Sequence, residues 1–373
     1  MEDILKYVEL IEDGRQQSKI LHKLSDIVII VLFAKLANAD DWEEIEDFAE
    51  CHEEFLKKYI RLENGVPSHD TIQRVMGSIN PQYIQNLYTK WNELVSSDEG
   101  KKLKKIIAID GKTMCGNKVK YTKPNHIVSA WCDEDGFCLG QKAVDEKSNE
   151  ITAIPQLLDT INVKGNIITI DAMGTQTAIA EKIKSKRADY VLAVKENQKN
   201  LYEEIKDYFD DKELRAELKL NGSYKKTSEK CHSQIEIREY YQCADIKWMQ
   251  EKRRWKGIKS VAMVEKTIKK DDNTTVEKRY YISSLPLDID TMARAIRRHW
   301  SVEIMHWHLD VTFKEDANST LDKIAAQNLN IINKWCLSIL KLFEVGKKKK
   351  SLRKKRFHIC MNAEKYIEEI LEL

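Results

Sequence analysis

Apolar side chains recur at helical spacing early in the chain. Leu21, Leu24, Ile27, Val28, Val31 and Leu36 keep the helical period, which predicts a buried helix. Asp41-Trp42-Glu43-Glu44-Ile45 opens a second helix with acids in its first turn, where the helix dipole favours them. Pro67-Ser68-His69-Asp70-Thr71 supplies an N-cap for a third, running through Met76. Residues 1–100 therefore read as an all-helical domain, and the basic run Lys101 to Lys105 marks its end.

The pattern then changes. Ile106-Ile107-Ala108-Ile109 runs straight into Asp110-Gly111-Lys112, which predicts a buried strand that delivers a carboxylate at its end. His126–Trp131 and Phe137–Val144, joined by Asp133-Glu134-Asp135-Gly136, predict a hairpin. A helix over about 149–161, a strand Ile167–Asp171, a helix over about 175–186, a strand Tyr190–Val194 and a helix from Gln198 to Phe209 follow. Three meandering strands and then crossover units predict an α/β fold, a ribonuclease H-like mixed five-stranded sheet with helices on both faces. Its first part spans 101–210.

Alternation at Gln234–Arg238, Ser260–Val264 and Arg279–Ser283, with a turn at Asp271-Asp272-Asn273, predicts a β-rich insertion over 211–286. Helix resumes near Ile289 and continues past Phe313, so that 287–345 supplies the closing helices of the core. Residues 346–373 form a basic C-terminal tail: eight of the ten residues from Lys347 to Arg356 are Lys or Arg.

Composition adds one point. The formal charge of the 373 residues is only +2, yet residues 1–100 hold 10 Lys/Arg against 20 Asp/Glu, and the remainder 52 against 40. That asymmetry fits a polyanionic partner for the later part, or chance clustering of solvated charge. The eight cysteines form no C-x-x-C pair and read as free thiols of a reducing cytoplasm. Met1-Glu2-Asp3 is no signal-peptide opening, and the run Ile27–Ala37, which contains Lys35, is far shorter than the roughly 20 residues a spanning helix needs.

Candidate chemistry rests on carboxylates. A second strand, Asn166 to Ile170, also ends in an acid, Asp171. The strands carrying Asp110 and Asp171 are neighbours in the expected topology. His299, Glu303, His306 and Asp310, at spacings of 4, 3 and 4, line one face of the expected helix. If that helix crosses the sheet, Glu303 joins the two Asp. Three ionised carboxylates repel, and divalent ions relieve this. Oxygen-only ligands select Mg²⁺ or Mn²⁺, and two such ions suit in-line displacement at phosphorus. Asp110 is best placed to bridge both ions, with Asp171 and Glu303 each completing one shell.

These motifs give the chain a marked resemblance to bacterial insertion-sequence transposases with a DDE triad, of the H-repeat-associated branch. The carrying stretches are Ile109-Asp110-Gly111-Lys112-Thr113, Ile170-Asp171-Ala172-Met173-Gly174-Thr175-Gln176, Val194-Lys195-Glu196-Asn197-Gln198 and Arg298-His299-Trp300-Ser301-Val302-Glu303. The run from His306 to Asp316, the N-terminal Pro67–Thr71 and Ala326-Gln327-Asn328 also match. The resemblance implies cleavage of DNA at the ends of a mobile element and transfer of the freed 3′-hydroxyl to target DNA. It implies catalysis by Asp110, Asp171 and Glu303 with two Mg²⁺ or Mn²⁺ ions. It implies work on double-stranded DNA in a bacterial cytoplasm, at the nucleoid, by a homodimer or larger assembly, with no membrane partner.

The wider superfamily places Arg where His299 stands and Lys where Asp310 stands, which makes Asp310 a rival third ligand. Cys115 and His232-Ser233-Gln234 replace basic residues common in relatives. Candidate DNA contacts are Lys112, Gln176, Lys195, Arg297, Arg298, His299, His306 and Lys314, each with a solvated or structural alternative. Trp255 reads either as a base-stacking residue or as one packed beneath Lys stems. The helix after Ser68 reads as scaffold or DNA reader, and the basic tail as following a DNA backbone or as solvated. An inactive DNA-binding derivative and a nuclease without strand transfer remain alternatives to an active transposase.

Overall fold

The computed structural model describes residues 7–9, 13–16, 18, 20–95, 103–117, 123–144, 148–231, 234–270 and 273–372. Met1 to Asp3, Lys101-Lys102, His232-Ser233 and Asp271-Asp272, all used above, lie outside them.

The main N-terminal helices are α1 (Leu24–Leu36), α2 (Trp42–Cys51), α3 (His69–Ser78) and α4 (Pro81–Val95), with one further helical turn at Glu53–Leu56. Helix α1 is buried nearly all round, Asp26 and Lys35 included, in keeping with its mostly apolar sequence. Its start at Leu24 leaves Leu21 exposed. Asp41 caps α2 and Ser68 caps α3 through their side chains.

Strands β1 (Ile106–Thr113), β2 (His126–Cys132) and β3 (Phe137–Ala143) form the meander. Helix α5 (Glu150–Thr160), β4 (Ile167–Ile170), α6 (Thr177–Ser185), β5 (Asp189–Val194), α7 (Lys199–Asp210) and α8 (Lys212–Leu220) follow. The segment 211–286 carries four more strands: β6 (Tyr224–Cys231), β7 (Gln234–Cys243), β8 (Ser260–Lys270) and β9 (Asn273–Ser283). These do not build a separate sheet. β9 pairs antiparallel with β5, giving one nine-stranded sheet in the order β3-β2-β1-β4-β5-β9-β8-β7-β6. The five expected strands are one part of it, with β1, β4 and β5 parallel. The open edge of β5 explains the extension: an unpaired row of backbone groups is satisfied by the next available strand.

One face of the sheet, with Ile107, Ile109, Ile168 and Ile170, packs on α5, α6 and α7. Ile106, Ala108 and Ile167 face the other way, toward α9 (Ile289–His299), α10 (Ser301–Val311) and α11 (Lys323–Leu342). The N-terminal helices share a core with α10, α11, Trp131 and Phe137. Asn328 of α11 donates to the carbonyls of Met76 and Ile79, which ties the end of α3 to α11.

The basic C-terminal segment is folded. It forms α12 (Leu352–Met361) and α13 (Ala363–Leu371), with Lys355 and Arg356 buried. Trp255 is 2% exposed and packed in the core, so it offers no face to a base. Cys51, Cys115, Cys132, Cys138, Cys243, Cys336 and Cys360 are free thiols. No described helix is long and apolar enough to cross a membrane.

Asp189 anchors the start of β5. Its carboxylate meets Lys104 at 2.6 Å, Lys184 at 2.7 Å and the Ser284 hydroxyl at 2.8 Å. Burial would raise its pKa; these donors outweigh burial and bring it from 3.8 to about 2. A depressed folded-state pKa stabilises the protein above the unfolded value and is lost as pH falls through the folded one. Asp189→Asn is therefore expected to cost about 2 kcal/mol at pH 7. In urea unfolding curves, the gap from the wild type should narrow as pH falls from about 4 to about 2. A gap independent of pH would refute this.

Candidate active site

β1 and β4 run parallel with Ile109 opposite Ile170, so Asp110 and Asp171 are the next residues on adjacent strands. Alternation turns Asp110 away from the Ile109 face and toward α10. The expectation that Asp110 ends its strand is not met. β1 continues to Thr113 against β2, while β4 stops at Ile170. β4 stops because Asp171 turns the chain: its Oδ1 accepts from the Gly174 amide at 3.2 Å, and its carbonyl accepts from the Thr175 hydroxyl at 3.1 Å. Gly174 is required here, since a Cβ would lie 2.3 Å from Ile170 Cγ2. Asn197 and Gln198 brace the same turn from outside, donating to the carbonyls of Ala172 and Thr175.

The expected continuous helix over 289–313 is broken at Trp300 into α9 and α10, and α10 ends at Val311. His299 thus ends α9 and does not share a helix with Glu303. Its Nδ1 lies 3.1 Å from the Thr169 hydroxyl on β4, and burial lowers its pKa to about 4. Glu303 sits in the first turn of α10, where the dipole favours an acid. Arg279 of β9 stacks over Trp300, 4.4 Å from the ring centroid, and its charge acts on Glu303.

The three acids influence one another. Burial, with the charges of Asp171, Glu150 and Glu303, raises Asp110 to about 7 against an opposing bond from the Gly111 amide. Burial and Glu150 raise Asp171. Burial and Asp171 raise Glu303, with Arg279 opposing. Asp171 and Glu303 line a cavity of about 810 Å³ together with Gln176, Lys195, Asn197, Arg279, His299 and Trp300. Buried acids that raise one another's pKa are the electrostatic setting a hard cation relieves. Among the described residues, no three acidic, His or Cys side chains enclose one ion unaided. Mg²⁺ sites rarely need that: the ion keeps several waters and takes one or two carboxylates plus substrate phosphate. The donor set fits such ions.

The remaining expected residues divide. Lys195 is exposed beside Asp171, and Gln176 lines the cavity while donating to the Met173 carbonyl. Arg297 lines an adjoining cavity of about 460 Å³ and lies 3.6 Å from Glu229. His306 Nδ1 lies 3.6 Å from Asp110 Oδ2, and burial with Lys334 and Lys112 nearby lowers its pKa to about 3. Lys112 is not directed at solvent. It is held by Asp310 at 2.7 Å, Asp316 at 3.0 Å and Glu315 at 3.3 Å, with a side chain only 10% exposed. These carboxylates hold its pKa above the usual range despite burial. The same pair engages Asp310, which lies two helical turns, about 10 Å, beyond Glu303. Arg298 pairs with Asp133 and Glu134 in the β2–β3 turn, beside the start of β1. Lys314 pairs with Asp40 at 2.8 Å.

Sequence reasoning missed Glu150, His126 and Arg279. Glu150 opens α5, and its Oε1 lies 2.6 Å from His126 Nε2. Nothing local marks Arg279. For Glu150, the one sequence signal is Gly111 inside a strand, which announces the close approach of another group.

Comparison with known proteins identifies relatives of the chain. The transposase DDE domain family model matches residues 101–339, and a companion family described as DDE_Tnp_1-associated matches 5–92. "Putative transposase YncI" of Escherichia coli O157:H7 is 39% identical, covering 100% of this chain and 95% of the relative. "H repeat-associated putative transposase YhhI" of Escherichia coli K12 is 40% identical, covering 94% of each. "Inactive transposase YbfQ" of Escherichia coli K12 is 45% identical over 76 residues, which are 20% of this chain and 90% of the relative.

Proposed function

The chain belongs to the transposase DDE domain family, and from that premise we propose that it is a DNA transposase. It cuts phosphodiester bonds at the ends of an insertion sequence and joins the freed 3′-hydroxyl to target DNA. The observation that supports this reading is the register that puts Asp110 and Asp171 one residue past the last pair of two adjacent parallel strands, with Glu303 of α10 lining the cavity beside Asp171. The strand order β3-β2-β1-β4-β5, antiparallel then parallel, supports reading that half of the sheet as ribonuclease H-like.

Asp110 would hold both of two Mg²⁺ or Mn²⁺ ions, Asp171 one and Glu303 the other. Bound there, such ions polarise the scissile phosphate and acidify the attacking oxygen. The chain's own residues do the positioning. The braced turn after β4 fixes Asp171, and Arg279 on Trp300 fixes the wall beside Glu303. Lys195, Gln176 and Arg297 are set to meet DNA phosphates around the cavity. First water, then the 3′-hydroxyl, attacks phosphorus in line with the leaving oxygen. The DNA is double-stranded, and joining two ends calls for at least a dimer, at work on the bacterial nucleoid.

The test is incubation of the full chain and Mg²⁺ with linear DNA carrying the inverted repeats that flank its reading frame. Nicks at those ends that leave 3′-hydroxyls, and joined products in a target plasmid, are expected. Binding of ends without cleavage in Mg²⁺ or Mn²⁺ would replace this reading with that of a DNA-binding derivative. Cleavage indifferent to the repeats and without joining would replace it with that of a nuclease.

A further inference from the structure

We infer that Arg279 takes part in the reaction directly: its guanidinium binds a phosphate of the DNA strand being cut, next to the cut, on the side of the cavity that Glu303 lines. This rests on the reading of Asp110, Asp171 and Glu303 as the reacting centre.

Strand register puts Arg279 there. β5 ends at Val194 opposite Tyr280, so Arg279 of β9 stands one residue outside the last pair of that ladder. Tyr280 packs on the face of Ile109 and Ile170, and Tyr281 on the face of Ile106 and Ile167. Alternation gives Arg279 the Tyr281 face. That is the face toward which Asp110 turns and over which α9 and α10 lie. Together with Tyr281, Trp300 and Glu303, Arg279 lines both the cavity of about 810 Å³ and the adjoining one of about 460 Å³. Among the described residues it is the one Lys or Arg that borders both.

The guanidinium is oriented before any DNA arrives. Its Nε donates to Glu277 Oε1 at 2.7 Å, and its plane lies over Trp300, 4.4 Å from the ring centroid. With Nε and one face taken, the Nη nitrogens form the edge that meets a phosphate, in the forked geometry that suits its oxygens. The side chain is 34% exposed, so that edge is reachable from the cavities. Its charge acts on both Glu303 and His299. Neighbouring cations are placed differently: Arg297 lies 3.6 Å from Glu229, and Lys278 meets Asp210 at 2.6 Å on the far face. Attack at phosphorus builds negative charge on the phosphate oxygens beside three acids. A cation already held in place stabilises that charge without reorganising.

The test uses the full chain and duplex inverted-repeat ends, with binding measured over a salt series without divalent ions and cleavage measured in Mg²⁺. Arg279→Gln should reduce the salt slope of binding by about 1 and slow cleavage by about 100-fold or more. Arg279→Lys should restore the slope but leave cleavage slow, because it returns the charge without the fork. Neutral methylphosphonates, placed one at a time along the end, separate a contact from a structural role. At one position next to the cut, the replacement should weaken binding by the wild type and leave Arg279→Gln unaffected; elsewhere both proteins should respond alike. If Arg279→Gln does not fold, Arg279→Met, whose stem still covers Trp300, stands in for it. A folded variant with the wild-type slope and the wild-type response at every position overturns the inference. A wild type that cuts ends while that result holds loses only the role of Arg279. A wild type that cuts no ends but shows the position-specific difference keeps the contact and loses the transposase reading.

Discussion

Asp110→Asn is expected to lower cleavage at the inverted-repeat ends by at least about 1,000-fold while leaving binding of those ends intact. The size of the effect follows from position. Asp110 stands in mid-strand, paired with Ser129 of β2 and one residue past the last β1–β4 pair, so its backbone is held against a shift that would let a neighbour take its place. It is the carboxylate that both other acids flank, and the one that its surroundings raise furthest, to about 7. Asn keeps the shape and removes the charge. Without metal the folded variant should be no less stable, because a desolvated acid among like charges costs stability when ionised. Gel-shift assays and thermal melts on the same preparation separate these outcomes. Cleavage within tenfold of the wild type would remove Asp110 from the chemistry.

Arg356→Ala is expected to destabilise the folded protein by about 3–5 kcal/mol. The sequence placed Arg356 in a basic tail; the fold buries it completely. Its guanidinium donates to the carbonyls of Lys35, Ala39 and Thr312, pairs with Asp40 at 3.1 Å and lies over the Phe313 ring. It therefore joins the end of α1, the loop before α2 and the end of α10. Truncation to Ala leaves three carbonyls without their donor and strips Asp40 of a buried partner. Lys314 still meets Asp40 from the exposed side, which keeps the loss from being larger. Denaturant unfolding would register the change; a shift below about 1 kcal/mol would mean that the C-terminal helices carry little of the stability.

Local pattern accounts for much of what was legible. Runs of β-branched residues leading into Asp gave β1 and β4; side-chain caps gave the starts of α2 and α3, and alternation of element types gave α5 to α7 to within a few residues. The neighbourhood of Asp110 and Asp171 follows from topology, because strands 1 and 4 of a meander followed by crossovers must pair. Errors cluster where non-local partners decide. The helix after Asp288 looked continuous, since no Pro or Gly marks its break at Trp300; the Arg279 that stacks over Trp300 belongs to a strand and lies 21 residues earlier. Lys112 looked free for phosphate because its three acidic partners, Asp310, Glu315 and Asp316, lie about 200 residues away.

By itself the sequence determined the alternation of strands and helices, the two acids at neighbouring strand positions and the family likeness. Each is written in short-range spacing, or in residue types whose chemistry is independent of context. Only the tertiary structure decided that segment 211–286 extends the same sheet and that the basic C-terminus folds inward onto Asp40. Only it brought Glu150 and His126 to the gap beside Asp110. The physical reason is common to all three. An unpaired strand edge, a buried guanidinium and a space left by a missing Cβ acquire their meaning from atoms remote in the chain, and periodicity carries no record of those atoms.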